Sequence, residues 1–593
     1  MKKKSVGLVA TQYRTLKQPT GGLLLQKGGS LPEVTVAYES YGKINHEKSN
    51  VILLCHALTG DAHAAGYHSL EDKKAGWWDI MIGPGKAIDT DYFFVICTNI
   101  LGGCKGTTGP SSVNPITGKP YGSDFPSITV YDMIHVQKIF LDELSIPSLF
   151  GIIGGSAGGF QVLEWCVQYP DFIQNAVVIA SAESLCAQAL SFDIVARNII
   201  LADPEWQGGH YYGSGREPSK GLSLARMIGH ISYLSSETMD IKFGRERRAE
   251  NGQNGLFSTD FEIESYLNYQ GKIFTERFDA NSFLYITQAM DWFSLKERDI
   301  PLNKLFEKKN ISFLLISVSS DWLYPAKQAK NLAELILRAN NRVSYCDLSA
   351  PHGHDSFLIE NETLSEIVSS FFNPELGKKH SVSEHDCPRC ETFSIIKNML
   401  TPKSRVLDLG CGDGSFLSRI MAESAAHVHG FDIDINKIIA CNLKKIPAFQ
   451  IDLDEGLGMI PDMFYDFAVL NQTLLEVFKP QLVLMEMMRI ARYGIVSFAN
   501  YANWKHRIKL GLFGRLPLSR ELPFEWYNTP NIHFLSLRDF KNFCRRENII
   551  IHEQHFFAKG VISKILSALG FANLGADRVI VKISASTQST SAE

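Results

Sequence analysis

Short, almost wholly apolar runs punctuate the first part of the chain: 51–55 (VILLC), 93–97 (FFVIC), 149–153 (LFGII), 176–180 (AVVIA), 311–318 (ISFLLISV) and 343–348 (VSYCDL). A strand buried on both faces reads this way, without apolar–polar alternation. Helical periodicity fills several gaps between them, over 130–144 and 158–168. Alternating strands and helices predict a parallel sheet wrapped by helices, an α/β fold. The rhythm fails from 181 to 304, where polar, helix-like sequence predicts an inserted helical lid. A polar stretch, NPELGKKHSVSEHDCPRC, then reads as a linker over 373–391. A second alternation follows: 405–409 (RVLDL), 427–433 (HVHGFDI), 466–470 (DFAVL) and 493–498 (YGIVSF). Two domains are expected, at 1–372 and 392–583, with a disordered, apolar-poor tail at 584–593.

Composition narrows the class without naming the chemistry. With 593 residues, 45% hydrophobic and 21% charged, the chain is long enough for two or three ordinary domains. A net charge of −4 gives no electrostatic case for nucleic-acid or membrane-surface binding. Eleven scattered cysteines, several inside apolar runs (Cys55, Cys97, Cys166), suit a reducing compartment. The close pair Cys387/Cys390 lacks a second pair, so no metal site is expected. The apolar stretch near the N-terminus is too short for a signal peptide, and no run reaches the ~20 apolar residues of a membrane span. A cytoplasmic location is the expectation.

Two glycine clusters carry the candidate chemistry. The first, Gly154-Gly155-Ser156-Ala157-Gly158, closes an apolar strand and opens a helix. GxSxG at a strand–helix turn holds a serine in a strained conformation that projects its hydroxyl above the sheet, and small neighbours make room for it. A tight turn with an incidental serine has the same local pattern, so the partners decide. A serine nucleophile needs a histidine base and an orienting acid, in the order Ser, acid, His for this strand–turn–helix arrangement. Asp321 follows the strand at 311–318, and His352 and His354 both follow the strand at 343–348. Spacing does not choose between the two histidines. Backbone N–H groups of Ala157 and of the loop around Leu58, after the strand at 51–55, are the expected oxyanion donors.

HALTGDAH, GWWDIMIGPGKAIDTDYFFVICTNILGGCKGTTGP, GGSAGGFQVLEW and APHGHDSFL together resemble the homoserine O-acetyltransferase family of α/β-hydrolase-fold enzymes, over about 6–372. The resemblance implies acetyl transfer from acetyl-CoA to the hydroxyl of L-homoserine, in methionine biosynthesis. It implies that Ser156, Asp321 and His354 form the triad, with His352 a structural neighbour. It also implies that Arg226 of the lid holds the substrate carboxylate and that Asp355 contacts the substrate. An arginine cradles a carboxylate with its bidentate fork, and an acid suits an ammonium. Succinyl-using relatives carry an arginine two residues after the acid; Leu323 stands there, which favours acetyl. The expected mechanism is ping-pong through an acyl-serine, with the lid excluding water and forming a homodimer contact. Serine O-acylation, homoserine O-succinylation and ester hydrolysis on the same fold are the alternatives.

The second cluster, Gly410-Cys411-Gly412-Asp413-Gly414, follows the strand that contains Asp408. Its GxGxG spacing is that of S-adenosylmethionine sites rather than of dinucleotide sites. Asp432, 22 residues beyond Gly410, is expected at the ribose hydroxyls, and Asp452 at the adenine edge. With QIDLDEGL and NQTLLEV, the stretch from 392 to 583 resembles methionine biosynthesis protein MetW, a class I methyltransferase-like Rossmann fold. The resemblance implies S-adenosylmethionine as a ligand, in a regulatory or supporting role, and specifies no methyl acceptor.

Overall fold

The computed structural model describes residues 5–17, 21–247, 261–307, 309–359, 362–373, 390–519, 522 and 525–586. The chain divides into two compact units, Met1–Phe372 and Asn373–Glu593. Most of the expected linker, with Cys387, lies outside the described residues, and a helix already begins at Cys390.

In the first unit the sheet strands are β1 (Gln12–Thr15), β2 (Thr35–Tyr41), β3 (Val51–Cys55), β4 (Phe94–Thr98), β5 (Leu149–Gly155), β6 (Ile173–Ile179), β7 (Ser312–Val318) and β8 (Arg342–Leu348). Their spatial order is β1-β2-β4-β3-β5-β6-β7-β8. From β4 onward every pairing is parallel. β1 and β2 are antiparallel, as are β2 and β4, so the expected all-parallel sheet is in fact mixed. The reason is visible in β2, whose burial alternates and whose sequence TVAYESY carries a glutamate. Such a strand lacks the continuous apolar run that marks its parallel neighbours.

Two helices position the chemistry. α1 (Val130–Glu143) starts in a reciprocal capping box between Thr129 and Asp132. α2 (Ala157–Gln168) follows β5 directly and is buried over its first ten residues. Helices α3 (Ala187–Leu201), α4 (Ser219–Tyr233), α5 (Ser236–Lys242), α6 (Glu262–Thr275) and α7 (Ala280–Asp291) occupy the insertion expected between 181 and 304.

In the second unit β9 (Arg405–Leu409), β10 (His427–Asp432), β11 (Ala448–Gln450), β12 (Tyr465–Asn471), β13 (Ala491–Ala499), β14 (Ile549–Phe557) and β15 (Arg578–Ala585) lie in the order β11-β10-β9-β12-β13-β15-β14. β9 to β13 pair in parallel, and β14 and β15 close the edge antiparallel. β15 runs to Ala585, so residues 584 and 585, expected in the tail, belong to a strand, and 587–593 lie outside the described residues. Among the described residues no helix is long and apolar enough to cross a membrane.

Candidate active site

Parallel strands put their carboxyl ends on one edge, and four loops of the first unit meet there. The register pairs Cys55 with Gly154 and Val318 with Leu348. The segments after β3, β5, β7 and β8 are thereby brought side by side.

Ser156 is the turn residue between β5 and α2, with φ 56° and ψ −125°. An L-residue there stores roughly 1–3 kcal/mol of strain that the surroundings must hold. They do so through backbone: Ser156 N–H donates to the Ile179 carbonyl, and its own carbonyl accepts from Gly159 N–H and the Ser181 hydroxyl. Gly158 has the strictest steric requirement. A Cβ there would stand 2.2 Å from the Cys55 carbonyl oxygen, so only glycine lets α2 sit against the end of β3.

His354 and Asp321 are buried, at 3% and 4% exposed. His354 Nδ1 lies 2.7 Å from Asp321 Oδ2. Asp321 Oδ1 accepts from the N–H groups of Leu323 and Tyr324, both at 2.9 Å, so the carboxylate cannot rotate. With Nδ1–H donating to Asp321, Nε2 is the free basic nitrogen. Burial pulls the His354 pKa down, but the Asp321 charge, its hydrogen bond and the Asp355 charge more than offset this, and the pKa ends above the ordinary histidine value. His352 points elsewhere, with Nδ1 at 3.4 Å from Thr238 Oγ1.

One cavity is lined by Ser156, His354, Leu58, Arg226, Leu323 and Asp355 together. Leu58 follows β3 in a loop organised by His56. The His56 Nε2 accepts from Ile100 N–H at 3.2 Å, which leaves the proton on Nδ1, 2.8 Å from the Ala57 carbonyl oxygen. Burial pushes the His56 pKa down, so the ring stays neutral. The Ala57 carbonyl also accepts from Gly60 N–H. In a trans peptide the C=O and the next N–H point oppositely. Pinning the Ala57 carbonyl therefore turns the Leu58 N–H away from His56. Ala157 is the first residue of α2, where an N–H has no intrahelical acceptor. Both expected oxyanion donors thus belong to peptides held by other groups.

Arg226, on α4, stacks over Phe274 at 4.8 Å and reaches Thr59 Oγ1 at 3.4 Å. It forms no ion pair among the described residues, unlike a lid-surface arginine engaged in a salt bridge. Several lining residues carry no sequence signal: Asp193 on α3, Tyr233 and Tyr324. Burial, then the Asp291 charge, pushes the Asp193 carboxyl up, against the pull of Arg197. Tyr324 stacks on His354 with centroids 5.0 Å apart, and its hydroxyl faces Ser156 without completing a hydrogen bond. Asp193 and Tyr233 lie on helices far along the chain from the triad, and Tyr324, three residues after Asp321, sits in an irregular turn, so periodicity could not find them.

The second glycine cluster forms its own constellation at the carboxyl ends of β9, β10 and β11. Gly410, Gly412 and Gly414 all have positive φ, at 81°, 55° and 73°. A Cβ on Gly412 would meet nothing within 4 Å, so this turn faces open space. Asp408 is buried in β9 at 2% exposed. Asp432 ends β10, and its Oδ2 accepts from Gly412 N–H at 2.8 Å. Asp452 follows β11 and caps a short turn through Asp454 N–H. Asp413, which would repel an anion, is paired with Lys444 at 2.7 Å.

Comparison with known proteins matches each unit to a family. The alpha/beta hydrolase fold family pattern matches residues 50–360, and that of methionine biosynthesis protein MetW matches residues 390–581. The homoserine O-acetyltransferase of Methanosalsum zhilinae is 52% identical over 374 residues, covering 63% of this chain and 75% of that protein. Among solved structures, homoserine O-acetyltransferase from Bacillus anthracis has a TM-score of 0.58 at 28% identity, covering 62% of this chain and 98% of that one. Esterase E22 has a TM-score of 0.56 at 29% identity, covering 61% of this chain and 100% of that one. The bifunctional methionine biosynthesis protein MetXA/MetW of Rhodopirellula baltica is 38% identical over 563 residues, 93% of this chain and 89% of that protein. A serine elbow with its acid and histidine in one unit, a glycine-rich turn in the other, and likeness along nearly the whole length place this chain in the bifunctional MetXA/MetW family.

Proposed function

We propose that the chain is a homoserine O-acetyltransferase, moving the acetyl group of acetyl-CoA to L-homoserine in methionine biosynthesis. The observation that carries this reading is the shared cavity, in which Ser156 and His354 meet Arg226 and Asp355. A nucleophile and base alone would serve any ester. A guanidinium with no ion pair among the described residues and a carboxyl on the same wall suit a small zwitterion, Arg226 taking the carboxylate and Asp355 the ammonium. Leu323 offers no cation for a second carboxylate, which supports acetyl over succinyl.

Neutral His354 takes the Ser156 proton through Nε2 as the serine oxygen attacks the thioester carbon. The oxyanion rests on the Leu58 and Ala157 N–H groups. The carbon–sulfur bond breaks, His354 returns the proton to the CoA thiolate, and an acetyl-serine remains. His354 then removes the homoserine hydroxyl proton, that oxygen attacks the acetyl carbon, and Ser156 leaves with the proton restored. Free-thiol release from acetyl-CoA, with homoserine, serine or water as acceptor, tests the scheme. Homoserine should stimulate release strongly and Ser156→Ala should abolish it. Release of equal size with water alone would instead favour ester hydrolysis, the reading that likeness to esterase E22 supports.

For the second unit we propose an S-adenosylmethionine-binding role. The open face at Gly412, the carboxylates of Asp432 and Asp452 and the neutralised Asp413 fit an uncharged ribose and an adenine edge. Calorimetric titration of the full chain with S-adenosylmethionine should show saturable binding that Asp432→Asn weakens at least about tenfold, the cost of a lost charged hydrogen bond; absence of binding would overturn the role. We also propose a homodimer through the lid, supported by Ile194 and Val195 on α3, each 47% exposed. A monomer by light scattering would overturn it.

A further inference from the structure

Outside the catalytic cavity, three side chains converge with no part in acyl transfer. Glu39 belongs to β2, and its carboxylate is completely enclosed, at 0% exposed. His63 Nδ1 lies 3.0 Å from its Oε2, and His68 Nε2 lies 2.7 Å from its Oε1. Both imidazoles come from the segment that continues the Leu58 loop. The three donor atoms all lie within 4.8 Å of one another, and the two rings are tilted by 36° with centroids 3.8 Å apart.

The surroundings orient this cluster from behind. Thr11 Oγ1 donates to Glu39 Oε1 at 2.8 Å, and the Tyr41 hydroxyl donates to Oε2 at 3.0 Å. Thr11 thus gives Oε1 a partner that depends on neither histidine, and the one Tyr41 proton is shared between Oε2 and the Ala62 carbonyl, each 3.0 Å away. Outer partners of this kind hold a ligating carboxylate in place. The histidine segment is fixed separately: Asp61 Oδ1 accepts from His63 N–H, and Asp72 Oδ2 accepts from the N–H groups of His68 and Ser69. Glu39, Asp61 and Asp72 place three carboxylates around two imidazoles, an excess of negative charge. Exposure rises from 0% at Glu39 to 19% at His63 and 46% at His68, which leaves an entry path on one side.

We propose that Glu39, His63 and His68 bind a divalent transition cation of the zinc type, with solvent completing its coordination. Two imidazole nitrogens and one carboxylate oxygen suit zinc, cobalt or nickel better than magnesium or calcium. Tetrahedral ligands around zinc sit about 3.3 Å apart, and one donor atom from each of the three side chains already lies within 4.8 Å of the other two, so side-chain adjustments of about an ångström bring them to that spacing. The imidazole protons now facing Glu39 would leave to solvent or to the opposite ring nitrogen as the cation enters. None of the three residues lines the catalytic cavity, so the cation would tie the loop after Leu58 to β2 rather than touch substrate.

The test uses the full chain without a histidine tag, stripped with chelator and titrated with Zn²⁺. The wild-type chain should bind one equivalent more than His68→Ala, a change at an exposed side chain that leaves the fold intact. The Co²⁺-loaded protein should show weak d–d bands without an intense thiolate charge-transfer band. Equal stoichiometry in the two proteins, a thiolate band from the cysteines, or no binding to either would each overturn the site.

Discussion

In the proposed scheme His354 must be neutral to accept the Ser156 proton, so its pKa should set the acid limb of the rate. Burial disfavours the imidazolium, and the charges of Asp321 and Asp355 more than restore it. The limb in kcat/KM should therefore have its midpoint above the ordinary histidine value of about 6.5. Asp355→Asn removes one of the anions that stabilise the imidazolium, so the midpoint should move to lower pH while KM for homoserine rises. A pH profile of thiol release with both proteins measures this; an unmoved midpoint would show that Asp355 is not felt by the base. His56 makes a second residue-scale case. Its ring joins Ile100 N–H to the Ala57 carbonyl and so aims the Leu58 N–H. His56→Phe keeps the bulk and loses both bonds. Loss of one aimed oxyanion donor costs on the order of a hundredfold in kcat. Steady-state kinetics on a variant of unchanged melting temperature should show this drop with a smaller change in KM. A kcat within about twofold of wild type would discard the aiming role.

At the scale of elements, the helical insertion is joined to the catalytic helix by a buried charge. Glu164, on α2 and 0% exposed, pairs with Arg298, which follows the last long lid helix. Gln168 also donates to Glu164, at 2.9 Å. Arg298→Met would leave the carboxylate enclosed without its cation, at a cost of about 3 kcal/mol, the low end for breaking a buried pair. The guanidinium is 26% exposed, which is why the low end applies. The first thermal transition should fall, and the double change with Glu164→Gln should recover part of the loss; additive losses would mean that the pair is not coupled. The same scale explains what could be read in advance. β3, β5, β6 and β7 are central parallel strands, so both faces need apolar side chains and the runs stand out. β2 and β14 could not stand out. β2 buries Glu39 on behalf of two histidines, and β14, IIIHEQHFF, is largely exposed. The elbow and the acid were legible because each follows a visible strand closely; the loop after β8 offered both His352 and His354, and only the family resemblance chose between them. Asp193, Tyr233 and Tyr324 were not, because their role depends on how the chain folds over the site.

At the scale of the molecule, every group proposed to act in acyl transfer lies in the unit Met1–Phe372, and the glycine-rich turn proposed to bind S-adenosylmethionine lies wholly in Asn373–Glu593. Ser156, Asp321 and His354 follow strands that all belong to the first unit, and Arg226 comes from a lid inserted within the same unit. The Gly410 turn and the carboxylates of Asp432 and Asp452 likewise come from three adjacent strands of the second. A chain ending at Phe372 should therefore retain thiol release from acetyl-CoA in the presence of homoserine, with a kcat within about threefold of the full chain, less than the tenfold that 1.4 kcal/mol of lost transition-state binding would bring. If the second unit regulates the first, S-adenosylmethionine should change the rate of the full chain and leave the shortened chain unaffected. The two measurements separate the roles. A shortened chain that folds but has lost transfer would mean that the catalytic site needs the second unit. Equal response of both chains to S-adenosylmethionine would place its effect in the acyltransferase cavity itself, and no response in either would leave the second unit as a ligand-binding partner without control over the rate.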